Sequence, residues 1–276
     1  MNKTNARPIL NNRRSPLKFF ALVFALSVPF WLLGAVTDVQ LMPTLPVSAL
    51  MAFCPMLAAL ILVYRENKTE GVKALLKRSF DYKRITAKVW YVPIVFLMPG
   101  IVVLSYGVMR LTGSALATPQ FSVLAALVIF LAFFIGALGE ELGWSGYITD
   151  PLQARWNALQ ASLLLGSVWA VWHFVPLMQA HRSPEWIAWW SLGTLALRVL
   201  MVWLYNNTGR SVFGMALFHA MINVCWFLAP VFFPSIAGLI TAFVAAIVTV
   251  IWGPHTLTRV FLYPKLQKNK NNYIKR

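Results

Sequence analysis

Hydrophobic positions fall in eight long runs separated by short polar connectors. The runs occupy 17–36, 47–64, 89–110, 121–142, 160–178, 186–205, 211–230 and 235–259. At a rise of about 1.5 Å per residue, some 20 apolar residues cross the hydrocarbon core of a bilayer. The pattern therefore predicts an all-α, polytopic membrane protein, an eight-helix transmembrane bundle. Connectors around the fifth to seventh runs are short and carry Trp, which suits the membrane–water interface. No internal repeat or low-complexity linker breaks the pattern, so 1–276 is expected to form a single membrane domain.

Composition sharpens this picture. The 276 residues are 59% hydrophobic and only 12% charged, with a mean hydropathy of +0.67, against about 25% charged in a soluble domain. A net charge of +16 raises the question of nucleic acid. The basic residues answer it, because they sit in connectors between apolar runs and not on one domain surface. No nucleic-acid partner is expected; the bilayer is.

With the N-terminus inside, 21 of the 24 Lys and Arg fall on the cytoplasmic side. They comprise Lys3, Arg7, Arg13, Arg14 and Lys18, the eight from Arg65 to Lys88, Arg155, Arg210, and the six from Arg259 to Arg276. Arg110 and Arg182 fall outside, and Arg198 lies within the sixth run. This is the positive-inside pattern for eight spans in a cell membrane with both termini cytoplasmic. The basic N-terminal stretch runs into the first apolar segment without a small-residue cleavage site, so it reads as a span and not as a removable signal. In the 65–88 connector, Val72, Leu75, Leu76 and Phe80 share one side of a short helix among lysines. That fits a segment lying along an anionic leaflet, and equally a plain basic loop. Cys54 and Cys225 sit inside apolar runs without metal-ligand spacing and read as buried thiols.

Ionisable residues at membrane depth are costly, so they are the functional candidates. The chain has only 8 Asp and Glu, yet two of them, Glu140 and Glu141, end the fourth run in "GALGEELGWSGY". The fifth run carries "SVWAVWHFVP" with Trp169, Trp172 and His173. The seventh carries "MALFHAMINV", where His219 and Asn223, four apart, share one helix face. Glu141 and Ser145 have the same spacing if the helix continues. Gly136, Gly139 and Gly143 would let neighbouring helices approach the acidic pair, or let the helix end there.

Hydrolysis is the chemistry this set suggests. A glutamate takes a proton from water, with a histidine sharing the task, while a second histidine and an amide donate to an oxyanion. Alternatively Glu140, His173 and His219 bind Zn²⁺ and leave one position for water. The bland reading makes each His or Asn an interhelical hydrogen-bonding residue, with Glu141 holding Glu140 or reaching the headgroups. A proton-relaying transporter is a further class, but the interrupted half-helices or inverted halves it calls for are not evident. His181 and His255 read as interfacial. Taken literally, the runs put Glu140 and His173 roughly 20 Å apart in depth. They meet only if the fifth span starts later or the bundle is water-filled; "DPLQARWNALQASLL" as an interfacial helix, with Pro151 near its start, would supply the correction.

The three segments together resemble the CPBP family of intramembrane proteases, which includes the type II CAAX prenyl endopeptidases and bacterial Abi or bacteriocin-immunity-like proteins. The family pattern is Glu-Glu-x-x-x-Arg, aromatic-x-x-x-His and His-x-x-x-Asn. Here it reads "EELGWS" from Glu140, "WAVWH" from Trp169 and "HAMIN" from His219, within a motif-bearing core of about 121–230. The resemblance implies a membrane-embedded endopeptidase cleaving a membrane-associated or prenylated peptide. It implies Glu140 and His173 as water activators, His219 and Asn223 as oxyanion donors, and Glu141, Ser145 and Trp169 in support. Zn²⁺-dependent and metal-free glutamate mechanisms both stay open. Ser145 stands where the pattern has Arg, and serine supplies neither the charge nor the reach. Glu141 is then either unpaired or approached by another base, such as Arg155. Ser145 also motivates the alternative reading, a catalytically degenerate membrane immunity or partner-binding protein.

Overall fold

The computed structural model describes residues 14–114, 116, 122–229 and 234–258. Most of the basic ends counted above, including Lys3–Arg13 and Arg259–Arg276, lie outside these residues. Helix starts follow local chemistry. Ser15, Ser122, Asn157, Ser183 and Ser211 each cap a helix by accepting a backbone N–H three residues on, which satisfies a donor that the first turn leaves open. Prolines at the first helical positions add their preset φ at α1 (Pro16–Val36), α2 (Cys54–Leu76) and α8 (Pro184–Asn207).

The chain continues through α3 (Tyr91–Leu111), α4 (Val123–Gly143), α5 (Thr149–Gln153), α6 (Ala158–Trp172), α7 (Phe174–Gln179), α9 (Val212–Leu228) and α10 (Pro234–Trp252). A small antiparallel hairpin, β1 (Gln40–Met42) with β2 (Leu45–Pro46), is the exception to an all-α architecture. Among the described residues, seven helical runs are long and apolar enough to cross a membrane, and α9 is a shorter apolar helix. The protein is thus a multi-pass all-α bundle.

α8 is central. Every residue from Ala196 to Tyr205 is buried, as expected of a helix enclosed on all sides. It packs against α6 and α10, while α4 packs against α9 and α2. The outer face of α4 instead exposes Val123, Leu124, Leu127, Val128, Leu131 and Ile135. Such a stripe is stable against lipid, where backbone groups are satisfied within the helix. Of the three glycines near the acidic pair, Gly139 and Gly143 lie against the chain around 52–55. A Cβ at Gly143 would overlap the Pro55 carbonyl, so glycine sets the α2–α4 approach here. Gly136 has no neighbour within 4 Å.

Two boundaries differ from expectation, and together they remove the depth problem. The fourth helical run does not stop at 142 but continues to Gln153, through a π-helical turn at Trp144–Ile148. Pro151 belongs to its last turn, and the fifth run starts afresh at Ala158. "DPLQARWNALQASLL" is therefore no single interfacial helix. Glu140 stands about 20 Å of helical rise before Gln153, and His173 about 22 Å after Ala158. The two arrive at the same depth.

The basic connector also resolves. α2 runs into it with a break at Asn67–Lys68, and a 3-10 turn follows at Lys77–Phe80. Leu75 is buried, whereas Leu76 and Phe80 are exposed, so the expected apolar stripe is divided.

Candidate active site

Adjacent helical residues point about 100° apart, so the acidic pair faces two ways. Glu140 faces α6: its Oε2 accepts N–H bonds from Trp144 at 3.2 Å and Trp169 at 2.7 Å. Glu141 faces α8 and α9. It accepts from Arg198 at 3.3–3.5 Å, from His219 Nδ1 at 3.0 Å, and from the Ser145 hydroxyl. The helix does continue through "ELGWSG", which is why Ser145 reaches Glu141 from four residues on. Glu141 is fully buried, and Arg198 is 1% exposed. An ion pair there offsets its desolvation only with such additional hydrogen bonds.

Trp169 joins the two halves. Its indole N–H holds Glu140, and its ring lies 5.2 Å from the His219 ring and 5.5 Å from that of His173. The Arg198 guanidinium carbon sits 4.3 Å above the same ring, a cation–π contact. At the C-terminal end of α6, His173 Nδ1 donates to the Trp169 carbonyl at 2.8 Å. A carbonyl only accepts, so this bond fixes the tautomer and leaves the Nε2 lone pair free. The His219 Nδ1–H is likewise committed to Glu141, and its Nε2 lies 4.0 Å from Glu140 Oε1.

The fold thus brings together Glu140, Glu141, Ser145, Trp169, His173 and His219 from α4, the π turn, α6 and α9. Asn223 lies one turn beyond His219 on α9, half-buried, and no contact recorded among the described residues ties it to Glu140 or His173. Access lies on the His173 side, because His173 is half-buried while Glu140 is only 6% exposed. Trp190 packs on the His173 ring at 5.3 Å and lines a small apolar cleft with Gly193, Leu197, Trp226 and Gly238. His181 and His255 are exposed.

One expectation is corrected. The base beside Glu141 is Arg198, while Arg155 donates to the carbonyls of Pro151 and Arg14. Pairing across 57 residues leaves no periodic trace in the sequence. A signal existed nonetheless: Arg198 is the basic residue in the middle of an apolar run, and such a residue needs a carboxylate. The alternative metal set of Glu140, His173 and His219 gains no support from the geometry. Among the described residues, no three His, Cys, Asp or Glu side chains converge to hold one ion. Two indoles occupy Glu140 Oε2, and a guanidinium already lies inside the cluster.

Comparisons with known proteins cover the motif-bearing segments. Residues 122–225, which contain all three motifs, match the family described as type II CAAX prenyl endopeptidase Rce1-like. The chain is 29% identical over 239 residues to CAAX prenyl protease 2 of Methanococcus maripaludis, covering 78% of this chain and 85% of that protein. The buried Glu/His cluster and these matches support peptidase activity. By motif and by relative, the chain is similar to the Rce1-like CAAX protease family.

Proposed function

We propose that the protein is an intramembrane endopeptidase that hydrolyses a peptide bond in a membrane-associated, lipidated peptide. One observation carries this reading: Glu140, His173 and His219 share the Trp169 hub, yet each keeps one valence unspent. Glu140 is anchored through Oε2, and no hydrogen bond to Oε1 is recorded among the described residues. That oxygen takes the proton from the attacking water. His173 Nε2, with its lone pair turned away from the Trp169 carbonyl, orients the same water or shares the proton.

The tetrahedral oxyanion falls to His219 and the Asn223 amide. Because the His219 Nδ1–H is given to Glu141, Nε2 donates to an oxyanion only in the doubly protonated ring. Glu141 and Arg198 hold that ring in place. The excess of basic residues in the connectors favours cytoplasmic termini, and a substrate's C-terminus would then enter from that side. No step is routed through a metal, since no three-residue ligand set is found among the described residues.

The test is cleavage of a farnesylated CAAX reporter peptide by detergent-solubilised wild type, Glu140→Ala and His173→Ala, with and without a chelator. Wild type cleaves, both variants lose turnover, and the chelator has no effect. Unchanged turnover in both variants overturns the assignment. Ser145 favours a second reading, a non-catalytic partner-binding relative, in which the cellular phenotype survives Glu140→Ala.

A further inference from the structure

The proposed reaction uses Glu140, His173, His219 and Asn223, but a different residue touches the partners of all but Asn223. Arg198 comes from α8, carries none of the three motifs, and is buried at 1% exposure. Three features account for its position. Glu141 accepts from both its terminal nitrogens. The Trp169 ring lies under its guanidinium. Gly166 on α6 offers no side chain, so the Arg198 Cβ approaches to 3.2 Å of where a Cβ at 166 would stand. No hydrogen bond to Nε is recorded among the described residues. Electrostatic pairing and stacking, not full hydrogen-bond satisfaction, therefore keep this cation inside the bundle.

Two consequences spread from it. Through Glu141 the arginine orients the His219 ring, because the carboxylate oxygen it contacts is the one that receives the His219 Nδ1–H. Through the Trp169 face it fixes the indole whose N–H holds Glu140. The charged groups facing His219 are Glu140 and Glu141 from α4, with Arg198 from α8 and His173 from the end of α6 completing the cluster. We propose that Arg198 is the positioning residue of this site, a charge supplied by α8 that sets His219 and Glu140 from opposite sides of one guanidinium. It deepens the hydrolytic reading and relies on it for the kinetic readout.

The experiment pairs turnover with a readout that needs no substrate. The chain has four histidines, so ¹⁵N-histidine labelling in detergent resolves the His219 ring nitrogens, assigned with His219→Gln. In folded Arg198→Met, the His219 resonances are expected to move. Turnover of the farnesylated reporter falls about 100-fold, as expected when catalytic groups are misplaced, while KM stays within about threefold because binding is unaffected. Position 145 faces the same carboxylate, so Ser145→Arg combined with Arg198→Ala returns a cation to Glu141. That double variant regains the His219 resonance positions and most of the turnover lost by Arg198→Ala alone.

Unmoved His219 resonances in folded Arg198→Met overturn the proposal, whatever the turnover. So does a folded double variant that stays as impaired as Arg198→Ala. Where Arg198→Met does not accumulate, Arg198→Lys substitutes: a point charge cannot make the bidentate, stacked contact. Displaced resonances with reduced turnover then support the proposal, and wild-type values in both overturn it. If Glu140→Ala still cleaves, the hydrolytic reading falls by itself, and the His219 resonances still decide the role of Arg198.

Discussion

Two charged clusters in this bundle contrast sharply. One is the buried site around Glu140, Glu141, Trp169, Arg198 and His219. The other gathers where the end of α2, the π turn and the α8–α9 junction meet. There Arg78 donates to the Gly146 carbonyl, the Tyr205 hydroxyl and the Arg210 carbonyl. Asp81 accepts from the Ser211 hydroxyl and from the backbone N–H groups of Val212 and Phe213, which tethers the connector to the start of α9. Nearby, Glu66 takes both Arg14 and the Tyr147 hydroxyl. The carboxylates of this second cluster are directed at caps and neighbouring cations, and its arginine at backbone carbonyls. In the site, Glu140 Oε1 stands 4.0 Å from His219 Nε2, and no hydrogen bond to Glu140 Oε1 or His173 Nε2 is found among the described residues. Charge alone does not separate chemistry from architecture, and neither does a spare donor, since Arg78 Nε also lacks a hydrogen-bond partner among the described residues; the site differs in what is left over, a carboxylate oxygen and imidazole nitrogens.

The contrast can be broken by substitution. Glu140→Gln keeps the shape of the side chain but removes the base, so reporter turnover is expected to fall about 10³-fold or more with little change in unfolding temperature. Glu141→Gln leaves Arg198 as an uncompensated buried cation. It is expected to cost roughly 3–5 kcal/mol of stability, read as a loss of denaturant resistance in detergent. Asn223→Ala removes an oxyanion donor and lowers kcat about 10²-fold; an unchanged kcat would remove Asn223 from the mechanism. Asp81→Ala removes the carboxylate that accepts from Val212 and Phe213 at the start of α9, leaving the Ser211 cap in place, and is expected to cost about 1–2 kcal/mol while leaving turnover near wild type. If Asp81→Ala instead lowered turnover as far as Glu140→Gln, the distinction between the clusters would collapse.

The sequence disclosed the spans and the motif positions because both are periodic or local. Apolar run length marks helices, and the i, i+4 spacings of Glu141 with Ser145 and Trp169 with His173 mark shared faces. The depth of Glu140 was not legible. "ELGWSGYITDPLQ" looks like a helix end, with two glycines, Pro151 and a falling hydropathy, but tertiary packing carries the helix through it. Arg198 could be found as a lone mid-span cation, yet only the folded bundle says which carboxylate it meets.

The π turn at Trp144–Ile148, where the Thr149 hydroxyl donates to the Trp144 carbonyl at 2.7 Å, acts as a phase shifter. Each residue of an α-helix advances the side-chain direction by about 100°, and a π turn holds roughly one residue more than an α turn. Deleting Gly146 would make this stretch an ordinary α-helix and force a choice. Either the acidic pair stays on its partners and Tyr147 leaves Glu66, or the outer anchor holds and Glu140 swings away from the indoles. One surplus residue lets a single helix keep two angular appointments.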